Sequence, residues 1–303
     1  MFDGIIQNIF NALQWGSFYS LIALGYCLVY GVLLLINFAH GDVFMVGAYL
    51  AFFLATFFLG AGSLPHWLIL VLIVPLTMIL TSLVGVTLER VAYRPLRRKG
   101  ANKLYVVITA LMCGLILEHT NLAILGAGRR SFPTLVDQAT INLAGLSVTH
   151  LKIAVIIVAI LVFILLELVI SKTKIGMAMR AISYDRFAIP LMGIPPENII
   201  VFTFVLGSGL AGLAGLLFAM SYPVLDPYMG AMIGWKAFIA AVVGGIGEIR
   251  GALVGGFLLG FVEIMAVAFF PSTFRDLIAF TILLLILWKK PTGLFGVSRY
   301  QKI

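Results

Sequence analysis

The sequence predicts an all-α integral membrane protein, a polytopic bundle of about 8–10 spanning helices with some broken or re-entrant segments. Composition is the first reason: 62% of the 303 residues are apolar, 11% are charged, and the mean hydropathy is +1.14. A soluble surface needs more charge than that, about 25–35% of its residues. Since one crossing takes about 20 apolar residues, the apolar content fills about nine crossings. We therefore expect a single membrane domain over residues 1–303, with no second, soluble domain.

The second observation is that the apolar residues come in runs of nearly spanning length. The final run has only 12 residues, but Trp288 followed by Lys289 and Lys290 is typical of a helix end at the membrane surface. The runs are Ile9–Ile36, Val43–Leu59, Leu64–Leu88, Leu104–Leu125, Leu151–Ile170, Ile199–Met220, Met229–Ile246, Ala252–Phe270 and Leu277–Trp288.

The third observation is the placement of positive charge. No Lys or Arg precedes Arg90, and the basic residues then form clusters beside apolar runs. Loops rich in Lys and Arg stay in the cytoplasm, so the net charge of +8 indicates topology and not nucleic-acid binding. We expect the 126–150 loop outside, the 171–198 loop and the C-terminus inside and, for nine simple crossings, the N-terminus outside. The clusters are Arg90–Lys103, Lys172–Arg186 and Lys289–Lys302.

Two polar interruptions break the apolar pattern, Asn37–Asp42 and Tyr222–Tyr228. Polar groups at membrane depth are tolerated where they face protein or a water-filled cavity. Interrupted segments in the two halves of a membrane protein are also typical of a route through the bilayer. The candidate pathway residues are Asn37, Phe38, His40, Gly41, Asp42, Tyr222 and Tyr228.

The first interruption has two interpretations. In a surface turn, the Asp42 side chain would cap a helix that starts at Val43. In a pathway, His40 and Asp42 would hold the bend, while Asn37 and Phe38 would face the path.

Glycine is concentrated in the second half of the chain. The stretch Gly244–Gly251 combines several glycines with Glu248 and Arg250, which favours a tight turn between two helices. Glycines three or four residues apart also let membrane helices approach closely. The residues assigned to this turn or to helix packing are Gly244, Gly245, Gly247, Gly251, Gly255 and Gly256.

Four ionisable residues fall within the apolar runs or close to their ends. Glu118 and Glu167 are near run ends, so we expect them at the membrane surface. Lys236 and Glu263 fall inside their runs and need partners; we expect Lys236 to pair with Glu263 or Glu248. A proton relay built from the same carboxylates is the alternative.

The sequence carries no motif for chemistry of its own. It contains no GxxxxGK[ST] phosphate loop, no HExxH and no paired cysteines at metal spacing. Cys27 and Cys113 both stand in apolar runs, as packing residues do. We therefore expect no enzyme activity, no metal and no cofactor, and any energy must come from another protein.

The internal loop 171–198 shows a regular residue spacing that is not needed merely to keep a basic loop in the cytoplasm. Small and charged residues recur there at helical spacings, which predicts a short helix with a small-residue face that ends near residues 193–196. Such a face suits contact with a partner protein, whereas a solvated loop whose charges only fix topology is the alternative. The residues assigned to the contact are Gly176, Arg180, Ala181, Asp185, Ala188 and Gly193.

Three separated parts of the chain carry a family resemblance. They are Gly16–Tyr26 with Ile36–Asp42, the segment Arg180–Gly193, and Gly244–Gly256. Together they resemble the LivH family of branched-chain amino acid ABC transporter permeases, as its N-terminal signature, its ATPase-contacting loop and its late glycine motif. The middle part departs from the Glu-Ala-Ala consensus of ABC permeases, since it has Arg180-Ala181 there.

The resemblance implies a permease subunit of a bacterial inner-membrane importer for branched-chain or other neutral amino acids. Its implied partners are a LivM-like second permease, two cytoplasmic ABC ATPase subunits, a periplasmic substrate-binding protein and the lipid bilayer. Permeases for urea or short amides are similar, and an ion-coupled secondary carrier is the other alternative. Because the pathway residues include no charge cluster to grip an amino-acid head group, we expect weak, mainly apolar handling of the cargo.

Overall fold

The computed structural model describes residues 2–62, 64–136, 139–143, 146–185 and 188–296, and it confirms the predicted all-α membrane bundle. The helices are α1 Phe2–Leu33, α2 His40–Gly60, α3 His66–Leu88, α4 Arg94–Arg98, α5 Lys103–Leu125, α6 His150–Lys172, α7 Lys174–Tyr184, α8 Ala188–Leu191, α9 Pro196–Ser221, α10 Met229–Gly245, α11 Ile249–Phe269 and α12 Arg275–Lys289. A π-helical turn, Glu89–Tyr93, joins α3 to α4, and a 3-10 turn, Ser272–Phe274, precedes α12. The short strands are β1 Arg130–Ser131, β2 Thr140–Leu143, β3 Leu146–Thr149 and β4 Val224–Leu225.

Seven helical stretches are long and apolar enough to cross a bilayer: α1, α2, α3 with α4, α5, α6, α9 and α11. The two remaining apolar runs form α10 and α12, which have 17 and 15 residues, fewer than the about 20 of a straight crossing. α10 is short because it begins inside the bundle, where its first residue, Met229, is buried. The difference between seven spans and the predicted count of about 8–10 therefore lies in these two helices.

Helix α1 lies at the centre of the bundle and packs against α9 and α11. It runs antiparallel to α11, because Gly16 contacts Phe257 near the middle of α11, whereas Gly31 contacts Gly247 just before α11 begins. The approach is so close that a Cβ on Gly256 would lie 2.5 Å from the Cα of Ser20. Only glycine fits between these two backbones.

A tight turn connects α10 to α11. The turn runs from Gly245 to Ile249, and Gly245 and Gly247 adopt φ angles of +114° and +92°. Glycine adopts this region without the steric cost that a Cβ brings. Behind the turn, a Cβ on Gly251 would lie 2.5 Å from the carbonyl oxygen of Gly244, so the two helices are in backbone contact.

The described residues of the three basic clusters lie at one end of the bundle. Arg94 pairs there with Glu197 at the start of α9, and α7 packs against both α1 and α9. Beyond α12, the N–H of Leu294 donates to the carbonyl of Val243 near the end of α10. By the positive-inside rule, this is the end expected in the cytoplasm. Helix α1 finishes at this end, where Gly31 contacts Gly247, and so it starts at the opposite one.

Short strands join two loops at the outer end. β1 pairs antiparallel with β4, and beside them Arg129 Nε lies 3.0 Å from Asp226 Oδ2. β2 and β3 form a separate hairpin. The β1–β4 pairing fixes the segment that leads into the buried start of α10.

Candidate functional site

The two predicted interruptions meet inside the bundle. Helix α2 begins at His40 and α10 begins at Met229, and both of these residues are buried. The first turns touch: a Cβ on Gly41 would lie 2.5 Å from the carbonyl oxygen of Gly230 and 2.8 Å from the Cα of Gly234. Two broken helices thus start side by side in the interior, an arrangement typical of substrate sites in transporters.

A cavity of about 280 Å³ lies beside this contact and is closed on one side by α5. Its two carboxylates come from Asp42 and Glu118, and most of the remaining lining is apolar or aromatic. Neither Lys nor Arg is among the lining residues within the part of the chain that the structure describes. We call this space the α2–α10 cavity; its lining is Tyr26, Phe38, Gly41, Asp42, Leu111, Met112, Leu115, Glu118, Gly230, Ala231, Gly234 and Trp235.

The position of Glu118 corrects the sequence prediction. We expected Glu118 at the membrane surface, but its side chain is buried and close enough to Asp42 for the two charges to repel each other. Helix α5 approaches this closely because Gly114 faces Asp42, where any Cβ would collide with the carboxylate. Glu167, also expected at the surface, is partly exposed and pairs with Arg250 at 2.9 Å. The cavity therefore has the charge cluster that the sequence did not predict.

Two residues of the first interruption lie away from the cavity. The Asn37 Oδ1 atom accepts a hydrogen bond of 2.7 Å from the Tyr93 hydroxyl. The His40 ring packs edge-on against Tyr26, with ring centroids 4.8 Å apart. These contacts hold Asn37 and His40 within the bundle. Asn37, which we expected to face the path, therefore points away from the cavity, whereas Asp42, which we expected to hold the bend, lines it.

The surface-turn interpretation of the first interruption is wrong. Helix α2 starts at His40, and its N-cap residue, Ala39, makes no side-chain hydrogen bond. Asp42 lies in the first turn and is buried, so it does not cap a helix starting at Val43. Together with Phe38, it lines the cavity instead.

The aromatic residues of the second interruption lie elsewhere. Tyr222 packs against Trp15, with ring centroids 5.0 Å apart, and lines a second cavity of about 350 Å³. Burial raises the pKa of the Tyr222 hydroxyl to about 12, so it stays neutral at physiological pH. Tyr228 is 48% exposed, and its N–H donates to Asp226 Oδ1 at 3.0 Å. Neither tyrosine is among the residues that line the α2–α10 cavity.

A buried ion-pair network connects four helices. Of the two partners expected for Lys236, Glu263 is the one found, since Lys236 Nζ lies 2.9 Å from Glu263 Oε1. The sequence did not predict the other members: the Tyr19 hydroxyl donates to Glu263 Oε2 at 2.8 Å, Arg275 also binds Glu263, and Asp276 lies 2.6 Å from Lys236. The side chain of Glu263 is fully buried. We call this set the Glu263 network.

The contacts of Glu263 argue against the proton-relay interpretation. Its carboxylate lies between the cations of Lys236 and Arg275 and also accepts a hydrogen bond from the Tyr19 hydroxyl. The guanidinium of Arg275 is held in turn 4.8 Å from the centre of the Trp15 ring. A carboxylate held by three side chains in this way joins α1, α10, α11 and α12, which favours a structural role over a relay.

A second buried network lies at the cytoplasmic end. Arg97, 3% exposed, pairs with the fully buried Glu89 at 2.6 Å and with Glu197 at 3.3 Å. Arg94 binds the same Glu197 oxygen at 2.5 Å. Glu89 is the first residue of the π-helical turn and Arg97 lies in α4 just after it; such turns are frequent at functional positions. This network holds Glu197, in the first turn of α9, against Arg94 and Arg97, and α7 also packs against α9.

The small-residue face of α7 points inward. A Cβ on Gly176 would lie 2.5 Å from the Cα of Ile170, and Arg180 donates to the Ile170 carbonyl. Ala181 is partly buried and Asp185 is exposed. The expectation that the small face meets a partner is therefore wrong for Gly176, which packs against its own chain.

The outward surface of residues 174–193 includes several large apolar side chains. Leu191 is 89% exposed, and Met177 and Met192 are also exposed. Gly193 ends the turn after α8 with a φ of +76°, and the side chain of Ala188 lies outside the described part of the chain. We call residues 174–193 the cytoplasmic segment; its described part presents large apolar side chains at this end of the bundle.

Comparison with known proteins identifies the family. A model described as "Branched-chain amino acid transport system / permease component" matches residues 8–287. The chain belongs to this family. The match includes the α2–α10 cavity, both ion-pair networks and the cytoplasmic segment, and it confirms the resemblance found in the sequence.

Relatives of this permease family match over nearly the full length. The chain is 39% identical to the high-affinity branched-chain amino acid transport system permease protein BraD of Pseudomonas aeruginosa, over 98% of both chains. It is 35% identical to LivH of Escherichia coli K12, over 98% of this chain and 97% of that one. It is 30% identical to the probable LivH of Methanocaldococcus jannaschii, over 95% and 91%. No solved structure matches.

Family and fold together make the chain a multi-pass membrane permease component. Its relatives are transport permease subunits, and the described chain has seven helices able to span a bilayer. The Glu263 network and the helix contacts at glycine hold these helices together. The α2–α10 cavity lies where two helices, α2 and the shorter α10, begin inside the bundle.

Proposed function

We propose that the chain is the membrane-spanning subunit of an ATP-driven importer that carries branched-chain amino acids across the bacterial inner membrane. The observation that carries this is the α2–α10 cavity, formed where two helices begin inside the bundle. Its relatives BraD and LivH are named as branched-chain amino acid permeases. ATP would be hydrolysed by separate cytoplasmic subunits, in keeping with the absence of a phosphate loop from the sequence.

The lining of the cavity favours amino acids over urea or short amides. The wall formed by α5 presents Leu111, Met112 and Leu115. These side chains suit an aliphatic substituent, which a branched-chain amino acid has and urea does not. Final selection would belong to a periplasmic binding protein. Exchanging that protein should then change which branched-chain amino acid is imported, while this chain stays fixed.

The cytoplasmic segment supports an ATPase partner. Large exposed apolar side chains such as Leu191 and Met192 are costly in water, and clusters of this kind mark protein interaction sites. The complex we propose contains two cytoplasmic ABC ATPase subunits, this chain and a LivM-like second permease, with the binding protein outside.

We expect the double variant Leu191→Asp and Met192→Asp to bind much less of its ATPase partner, because two charges would replace the apolar side chains that contact the ATPase. The measurement is the amount of ATPase that copurifies with the tagged permease from membranes, together with leucine uptake by the same membranes. We expect both to fall about tenfold, which corresponds to about 1.4 kcal/mol. Membrane insertion should be unchanged, since both side chains are exposed.

A matched control is Gly128→Asp, which adds a charge at an exposed position at the outer end of the bundle. It should retain both the ATPase and uptake. If the double variant copurifies with as much ATPase as the control does, the cytoplasmic segment is not the docking surface.

A further inference from the structure

We propose that the α2–α10 cavity is a binding subsite for a zwitterionic amino acid, in which Asp42 and Glu118 hold the α-ammonium group. This inference rests on the proposed function and gives it a specific site for the cargo. It also replaces the expectation that the chain handles its cargo through apolar contacts alone.

The two carboxylates need a cation. Asp42 and Glu118 are only 8% and 9% exposed, and the Oδ1 atom of Asp42 is buried without a hydrogen-bond partner. Glu118 makes no hydrogen bond or ion pair within the described residues. They repel each other, and no Lys or Arg side chain among the described lining residues offsets them. Ionisable groups at membrane depth are costly unless they are paired, so a cationic ligand group would stabilise this pair.

The remaining walls fit the rest of the ligand. Phe38 and Trp235 stack with ring centroids 5.0 Å apart, and α5 adds Leu111 and Leu115. An aliphatic side chain would be surrounded by apolar groups there. The volume of about 280 Å³ is close to the lower end of small-molecule pockets, about 300 Å³, which suits a ligand of few non-hydrogen atoms.

Ala231, at the start of α10, provides a position for the carboxylate of the ligand, whereas the neighbouring Gly230 lies against Asp42. Gly230 and Ala231 line the cavity from the first turn of this 17-residue helix. Their N–H groups have no backbone acceptor within the described chain. A helix N-terminus carries partial positive charge and free donors, so it attracts a carboxylate. The cavity thus presents negative charge, positive partial charge and apolar surface to one small zwitterion.

The test uses the complete transporter in proteoliposomes, without binding protein or ATP, and with Cys27 and Cys113 replaced by alanine. Leu115→Cys places a thiol on the cavity wall, where a water-soluble maleimide reports occupancy. We expect millimolar leucine to slow the labelling, and 4-methylpentanoate, which is leucine without its amino group, to leave it unchanged. Glu118→Gln should weaken the protection by leucine about tenfold, because it removes one charge and keeps the shape of the side chain.

Two controls make the result specific. Ile116→Cys, on an exposed face of α5 away from the lining, should show no protection by leucine. Glu167→Gln removes a carboxylate outside the cavity and should leave the protection at Leu115→Cys intact. Equal protection by leucine and 4-methylpentanoate, or full protection in Glu118→Gln, would overturn the subsite.

Uptake provides a second readout that does not depend on labelling. With binding protein and ATP present, Glu118→Gln should reduce leucine uptake at least about tenfold, whereas Glu167→Gln should match the unsubstituted transporter. Unchanged uptake in Glu118→Gln overturns the subsite while leaving the proposed function in place. If the unsubstituted transporter takes up no leucine although its ATPase is active, the proposed function itself is wrong.

Discussion

Replacing Glu263 with alanine is expected to prevent the accumulation of folded permease. The change would leave Lys236 and Arg275 facing each other in the interior without the carboxylate that binds both. Removing one partner of a buried ion pair costs about 3–5 kcal/mol, a large part of the stability of a typical protein domain. Tyr19 would also lose its buried acceptor. Folded yield and thermal unfolding in detergent measure the effect.

The matched control is Glu167→Ala, which breaks the pair with Arg250, whose side chain is 72% exposed. We expect its cost to stay below about 1 kcal/mol, as for other exposed pairs. Equal yield and thermal stability for Glu263→Ala and Glu167→Ala would show that the Glu263 network does not hold the bundle together.

The second large effect is expected at Arg97. Arg97→Met would keep much of the side-chain volume but leave Glu89 fully buried without its ion-pair partner. We expect a loss of about 3–5 kcal/mol. The same variant weakens the attachment of Glu197, so the start of α9 and the neighbouring cytoplasmic segment should become more susceptible to protease. Thermal unfolding and limited proteolysis of the detergent-purified permease measure the two effects.

Two further variants separate charge from packing at this site. Arg98→Met removes a neighbouring cation that is 63% exposed, and it should change stability by less than about 0.5 kcal/mol. The double variant Glu89→Gln with Arg97→Met removes both buried charges and should recover part of the loss. A double variant no more stable than Arg97→Met alone would contradict the ion-pair explanation.

Much of the fold could be predicted because each membrane-spanning helix corresponds to a long apolar run in the sequence. The family assignment followed from separated motifs, and the Lys236–Glu263 pair followed from the cost of two unpaired charges in lipid. These inferences depend on local sequence or on the energetic cost of a charge in lipid. They do not require knowledge of which helices are neighbours.

The cavity could not be predicted in the same way. Glu118 stands near the end of an apolar run, which is typical of a surface carboxylate, and only the packing of α5 at Gly114 brings it to Asp42. In the cytoplasmic segment, the spacing of Gly176 predicted a small-residue face but not which side of the helix would meet the bundle. The direction in which a helix face points is set by tertiary contacts, which the spacing of residues along the helix does not reveal.

The most direct test of the account is the energy source for leucine accumulation in proteoliposomes. We predict that the complete transporter, with binding protein outside the membrane and its ATPase subunits present, accumulates leucine only when hydrolysable ATP is supplied. A proton ionophore or removal of sodium should leave that accumulation unchanged. Accumulation of leucine by this chain alone, driven by an imposed ion gradient without ATPase subunits, would contradict the account and identify a secondary carrier.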